Sequence, residues 1–187
     1  MKNFQPRAWL LPQPVLIIGT YDADGTPNAM NAAWGGQWDM HDIMISLGSH
    51  ATTDNLNRNG EFTLAFATSD TLVASDFVGI VSGRKCHDKI AKTGWNVVKG
   101  EHVDAPVFDV FPMTMECRVK EKINESPSGF FLIAEIVNIV CDEKYLAADG
   151  KPDVEKMKLI TFDPVHNGYI ALGERVGDAF SAGAALK

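Results

Sequence analysis

The run Val15-Leu16-Ile17-Ile18-Gly19-Thr20-Tyr21 passes directly into Asp22-Ala23-Asp24-Gly25-Thr26. β-Branched apolar residues favour a buried strand, and Asp-Gly marks a tight reversal. A strand that turns back this sharply pairs antiparallel with the next segment of chain, so a second strand is expected over Pro27–Gly35. This hairpin limits the fold more than any other stretch, because later segments repeat its pattern. Ile43–Leu47 and Glu61–Thr68 read as further strands. The alternating Met113–Ile123 and the strongly apolar Phe130–Asp142 form a long hairpin around Ser126-Pro127-Ser128-Gly129. Leu159–Phe162 and Tyr169–Leu172 are short strands that can close the sheet.

Helical signals are few and short. Thr52 or Thr53 can cap a helix over Asp54–Asn59, ended by Asn59-Gly60. Ser69-Asp70 opens a pattern with apolar residues at Leu72, Val73, Phe77 and Ile80, and Asp88–Thr93 is stopped by Gly94. Gly94–Phe111 has little periodicity and reads mostly as loop. Gly35-Gly36 ends or bulges the second strand. Six to eight closely spaced strands with a few short helices indicate a mainly β protein, an antiparallel barrel rather than a βαβ sheet. At 187 residues the economical expectation is one domain, 1–187.

A formal net charge of −7 argues against a main role on a nucleic-acid backbone, so no nucleic acid is expected as partner. No stretch reaches the roughly 18 apolar residues that span a bilayer, so no membrane partner is expected. The N-terminal MKNFQPRAWLLPQPVLIIG is interrupted by Pro12-Gln13-Pro14 and lacks a small-x-small cleavage site, which points to a cytoplasmic protein. Cys86, Cys117 and Cys141 form no CxxC, in keeping with a reducing compartment. The histidines show no metal-ligand spacing, and no metal is expected. Absence of GxGxxG and Walker A patterns excludes a Rossmann or P-loop enzyme. Cys86-His87-Asp88 makes no local nucleophile–base pair, since adjacent helical residues point about 100° apart. No catalytic side chain is assigned.

Two segments remain as a candidate site. Asn31-Ala32-Ala33-Trp34 carries small residues that let a planar ligand approach the backbone, whose N–H and C=O groups can bond a polar edge. Trp34 either walls such a site or fills the core as an aromatic. One short strand later, Gly48-Ser49-His50-Ala51-Thr52-Thr53 opens a helix. Ser49, Thr52, Thr53 and free helix N–H groups suit an anion, and the same threonines also serve as plain caps. Arg84, Lys85 and Lys89 form the densest basic patch. An open backbone followed by an anion-binding helix start suggests a phosphorylated ring cofactor.

The ordered segments VLIIGTYDADGTPNAMNAAW, SHATTDNL, GEFTLAF, SGRKCHDKIAKTGW and YIALGERVGDAFSAG together resemble the flavin reductase-like, FMN-binding split-barrel proteins that include the flavoredoxins. The likeness runs from about Trp9 to Phe180. It implies an antiparallel FMN-binding split β-barrel, a homodimer, and FMN near the interface. By that resemblance Asn31, Ala32, Ala33 and Trp34 lie against the isoalloxazine, and Ser49, His50, Thr52 and Thr53 belong to the phosphate turn. Lys89 matches the family's Asp-Lys-Phe lysine, and Tyr169 lies near the ring. Ile90 replaces that motif's phenylalanine, Ala65 stands near a usual asparagine, and Met40-His41-Asp42 replaces a usual proline.

The expected activity is passage of hydride or electrons from NADH or NADPH through FMN to free flavin or another acceptor. One alternative is an electron carrier reduced by a redox partner protein. Another is a dimeric ligand-binding module without catalysis.

Overall fold

The computed structural model describes residues 1–186. Its strands are β1 (Gln13–Pro14), β2 (Leu16–Tyr21), β3 (Pro27–Ala32), β4 (Gly35–Gln37), β5 (Asp42–Gly48), β6 (Glu61–Phe66), β7 (Val97–Lys99), β8 (Pro106–Phe108), β9 (Met113–Ser126), β10 (Gly129–Cys141), β11 (Ile160–Asp163) and β12 (Gly168–Ala171). Helices α1 (Ala51–Asn59), α2 (Leu72–Ile80) and α3 (Lys89–Thr93) fill the connections.

Seven strands form one antiparallel sheet in the order β3-β2-β6-β9-β10-β5-β4. Its edge strands, β3 and β4, are consecutive in the chain and joined only by Ala33 and Trp34. A flat sheet of seven strands would hold its edges about 29 Å apart, whereas the step from Ala32 to Gly35 reaches at most about 11 Å. The sheet must therefore curl until its edges nearly meet, which makes the split barrel. Gly35 suits this junction: a Cβ there would stand 2.9 Å from Leu16 Cδ1 and 3.1 Å from the Met44 carbonyl oxygen.

Alternation along the strands sorts side chains into two cores. Leu16, Ile18, Ile43, Ile45, Leu47, Phe62, Leu64 and Leu132 point into the barrel, with Leu56 of α1 among them. Val15, Ile17, Ala65, Val78, Trp95 and Phe108 form a second cluster outside the sheet. β2 is thus buried on both faces, which is why Val15–Ile18 reads as a continuous apolar run.

Several elements differ from the sequence expectation. The second strand stops at Ala32, and Gly35-Gly36 starts a new strand at the opposite edge. α1 begins at Ala51, three residues early. Leu159–Phe162 and Tyr169–Leu172 do not close the main sheet; β11 pairs with β1 on one side and β12 on the other in a separate sheet. Gly94–Phe111 is no plain loop: β7 and β8 form a small hairpin, and Trp95, Phe108 and Phe111 pack as an aromatic cluster with ring centroids 4.9–5.2 Å apart. Periodicity fails there because the strands are only three residues long.

The Gly100–Ala105 loop is anchored by Glu116, which β9 holds fully buried. Its carboxylate accepts the Glu101 N–H at 2.6 Å, the Asn138 amide at 2.7 Å, and the His102 N–H and ring nitrogen. Burial would raise this carboxyl, but those hydrogen bonds together hold it below the ordinary glutamate value. A depressed folded value means that its contribution is present above the unfolded pKa and is lost on acidification. Glu116→Ala should cost about 2–4 kcal/mol in urea unfolding at pH 7, from orphaned buried donors. The gap between wild type and variant should shrink as pH falls below about 4.5.

Candidate functional site

Helix α1 opens on His50, which is extended at φ −136°. Thr53 closes the first turn. Its hydroxyl accepts the His50 N–H and donates to the His50 carbonyl, both at 2.8 Å. Thr53 is therefore engaged by the helix start itself, and the sequence-level choice of Thr52 or Thr53 as the cap residue is corrected to His50. The N–H groups of Ala51 and Thr52 have no intrahelical acceptor and point with the positive end of the helix dipole.

Thr52 is buried behind this turn, where Asn28 Nδ2 reaches its hydroxyl at 3.5 Å. Asn28 is only 2% exposed, and its Oδ1 has no hydrogen-bond partner. Gly83 lies against it, and a Cβ there would stand 2.9 Å from that oxygen and 3.2 Å from Ala51 Cβ. The Ser82–Lys85 loop therefore seats closely on the helix start only with glycine at 83.

The next residue on that loop completes the turn. Arg84 donates to Asp54 Oδ2 at 2.8 and 3.0 Å and to the Ser49 hydroxyl at 3.4 Å. Asp54 orients the guanidinium beside the exposed Ser49, so one cation, one hydroxyl and free helix N–H groups converge. Such a set has the donor chemistry that suits an anion.

The ring segment is next to it along the chain. Asn31 donates to the Ser75 carbonyl of α2 at 3.1 Å, and its amide passes directly over Gly79, leaving no room for a Cβ there. Ala32 and Ala33 are half-buried. Trp34 is 59% exposed, which overturns its reading as a core aromatic. The Trp34 carbonyl accepts the Ser46 N–H at 2.8 Å. Ser49 follows three residues later, so the two segments lie about 10 Å apart along β5. A cleft of about 470 Å³ opens beside Trp34, Met44 and Phe131. A second cavity of about 520 Å³ enters the barrel mouth between Leu16, Ile45 and Phe66.

Lys89 and Tyr169 act on α2 instead. Lys89, 3% exposed, donates to the Val78 and Val81 carbonyls at 3.2 and 3.0 Å, closing the end of α2. Burial pushes its ammonium down to about 8, against the pull of Asp22. Tyr169 donates to Asp76 at 2.7 Å; burial and that carboxylate push its hydroxyl up to about 12. Both stand one step behind the ring segment, since α2 is what holds Asn31. Asn28, Gly83 and Arg84 were not picked out individually as contacts by sequence reasoning. The only signal was the basic patch, which the fold divides: Arg84 faces Ser49 and Lys89 turns inward.

Among the described residues no cluster of His, Cys, Asp and Glu could hold a metal ion, and no helix is long and apolar enough to cross a membrane.

The flavin reductase like domain matches residues 8–153. The chain therefore belongs to the flavin reductase-like family. It is similar to flavoredoxin of Desulfovibrio vulgaris (Miyazaki F), with 37% identity, a TM-score of 0.91, and coverage of 98% of this chain and 99% of that one. Flavoredoxin from Methanosarcina acetivorans gives 28% identity and a TM-score of 0.89, with 100% of each chain covered. The FMN-binding protein from Thermus thermophilus, at 15% identity, a TM-score of 0.76, and coverage of 95% and 97%, shares the fold alone. No curated protein matches the chain.

Because the folded pKa of Lys89 lies below the ordinary 10.5, the unfolded chain binds this proton more readily between the two values. Stability should therefore rise from pH 8 to 10.5 in wild type relative to Lys89→Met, measured by chemical unfolding at each pH. A flat difference would place the ammonium in solvent.

Proposed function

We propose that this protein binds FMN and moves electrons through it, drawing on NADH or NADPH and delivering to free flavin or another acceptor. The observation that carries this reading is the anion turn of α1 and Arg84 lying one strand away from the open backbone at Asn31–Trp34. A phosphorylated ring fits those two ends. The orphaned Asn28 Oδ1 behind the turn adds a buried acceptor suited to a ligand hydroxyl or to water. When bound, FMN supplies the hydride and one-electron chemistry.

This chain's residues supply placement. Ala51 and Thr52 N–H groups, the Ser49 hydroxyl and Arg84 bind the phosphate, and Asp54 keeps Arg84 aimed. Asn31–Trp34 offers backbone groups to the ring's polar edge, with α2, Lys89 and Tyr169 holding Asn31 from behind. His50 starts the helix, and Thr53 stabilises that start. No side chain need carry a proton for this. A homodimer in the cytoplasm is part of the reading, supported by the family's habit and by unpaired Cys86, Cys117 and Cys141.

A second reading is favoured by the two flavoredoxin likenesses: a carrier reduced by a redox partner protein, without its own turnover of nicotinamide. Anaerobic addition of NADH or NADPH to purified, flavin-loaded protein separates the two. Bleaching of the visible flavin band is expected for the reductase, and persistence of the band with both nucleotides leaves the carrier. Arg84→Ala should weaken FMN binding about 10- to 100-fold by fluorescence titration, the value of one or two charge-assisted hydrogen bonds. Thr53→Ala should instead lower stability by about 1 kcal/mol with little effect on FMN affinity. Unchanged affinity in Arg84→Ala would remove the turn from the phosphate site.

A further inference from the structure

Helices α1, α2 and α3 do not end alike. α1 and α3 close on Gly60 and Gly94, left-handed at φ +71° and +72°, as helix ends commonly do. α2 closes on Val81, which is extended at φ −104°, ψ 118°, and its last turn holds no basic residue of its own. Its cation comes from the next helix instead. Lys89 Nζ donates to the Val78 carbonyl at 3.2 Å and to the Val81 carbonyl at 3.0 Å, with the residue 3% exposed. Burial pushes this ammonium down to about 8, against the pull of Asp22 and Cys86, so the charged form costs stability at neutral pH. A glycine would close the helix without that cost.

The two carbonyls stand at particular places in the chain. Val78 immediately precedes Gly79, over which the Asn31 amide passes, and the Ser75 carbonyl three residues earlier accepts from Asn31. Val81 immediately precedes the Ser82–Lys85 loop, where Gly83 seats on Asn28 and Ala51 and Arg84 reaches Asp54 and Ser49. An extended Val81 sends the chain from α2 toward the start of α1, and a left-handed residue there would send it in another direction. One ammonium therefore fixes the point where the support of the ring segment passes into the support of the anion turn.

We propose that Lys89 is a positioning residue for the phosphate end of the site: by fixing the Val78 and Val81 carbonyls it sets the exit of α2 and so delivers Gly83 and Arg84 to the start of α1. This deepens the FMN reading and rests on it for the ligand. It goes beyond the hold on Asn31, because it ties both ends of the site to one buried side chain. Lys89 acts through the backbone and the Arg84 loop, not by touching phosphate.

The test is a double-mutant cycle on the full chain, titrated by fluorescence at neutral pH with FMN and with riboflavin, which lacks the phosphate. Lys89→Met should weaken FMN about 10-fold more than riboflavin, the loss of one charge-assisted contact from a displaced Arg84. Beside Arg84→Ala that extra loss should vanish, because the contact that Lys89 positions is already gone. Where Lys89→Met does not fold, Lys89→Gln keeps uncharged donors, and an extra FMN loss of about 3-fold with the same disappearance is expected. An equal loss for both flavins overturns the proposal. So does an extra FMN loss that persists beside Arg84→Ala, since the ammonium would then act on the phosphate directly. A wild type that binds neither flavin removes the FMN reading, and this proposal with it. In flavin-free Lys89→Met, the amide protons of Val81 and Cys86, which donate to the Phe77 and Ser82 carbonyls at 3.0 Å, should exchange about 10-fold faster, with that of Asp54 in α1 unchanged. Equal acceleration in both helices would mark a general loss of stability and equally overturn it.

Discussion

Two residues, Ala33 and Trp34, span the gap between the opposite edges of a seven-stranded sheet. That covalent tether is the constraint on which the rest depends. With the edges forced together, the inward residues of β2, β5, β6 and β10 face one another across an interior and bury each other. With no sheet edge left flat, the outer face of β2 becomes a platform for α2, α3 and the β7–β8 hairpin. Trp34 stays outside because the link must run over the rim. The segment that closes the barrel is also the candidate ring segment, so closure sets how far its backbone is exposed.

The second half of the candidate site is built from a helix start and its supports. Capping is carried out by His50 and Thr53, which leaves the Ala51 and Thr52 N–H groups without an intrahelical acceptor and the Ser49 hydroxyl beside Arg84. Asp54, one residue past the cap box, aims Arg84. Behind the opposite segment, α2 is held at one end by Lys89 and along its side by Tyr169, and it holds Asn31 in turn. The candidate site therefore combines backbone groups and a helix dipole with the Arg84 and Ser49 side chains, all positioned by packed neighbours.

Much of this was legible in the chain. The Asp24-Gly25 turn, the β9–β10 hairpin, the Gly60 and Gly94 stops, and the order of the ring and anion segments all rest on local physics: turn geometry, alternation and capping. What was not legible had non-local causes. Gly35-Gly36 reads as the end of a strand because nothing nearby reveals that the pairing partner has changed to β5. β11 and β12 are apolar enough for any sheet, and the pairing of β11 with β1 depends on where the N-terminal segment runs. Val97–Lys99 and Pro106–Phe108 are too short to show a period.

The same division holds for the site residues. The sequence by itself determined a β-rich antiparallel fold from residue types within a few positions and a family resemblance from the order of segments along the chain, and it offered two neighbouring segments as candidates for a ring and an anion. Only the tertiary structure decided that Thr53 serves the helix, that Arg84 rather than Lys89 stands at Ser49, that Asn28 is left with an unpaired oxygen, and that Trp34 is exposed. Those facts depend on which way a side chain points from its element and what packs behind it, and that is set by barrel closure, not by nearest neighbours in the chain.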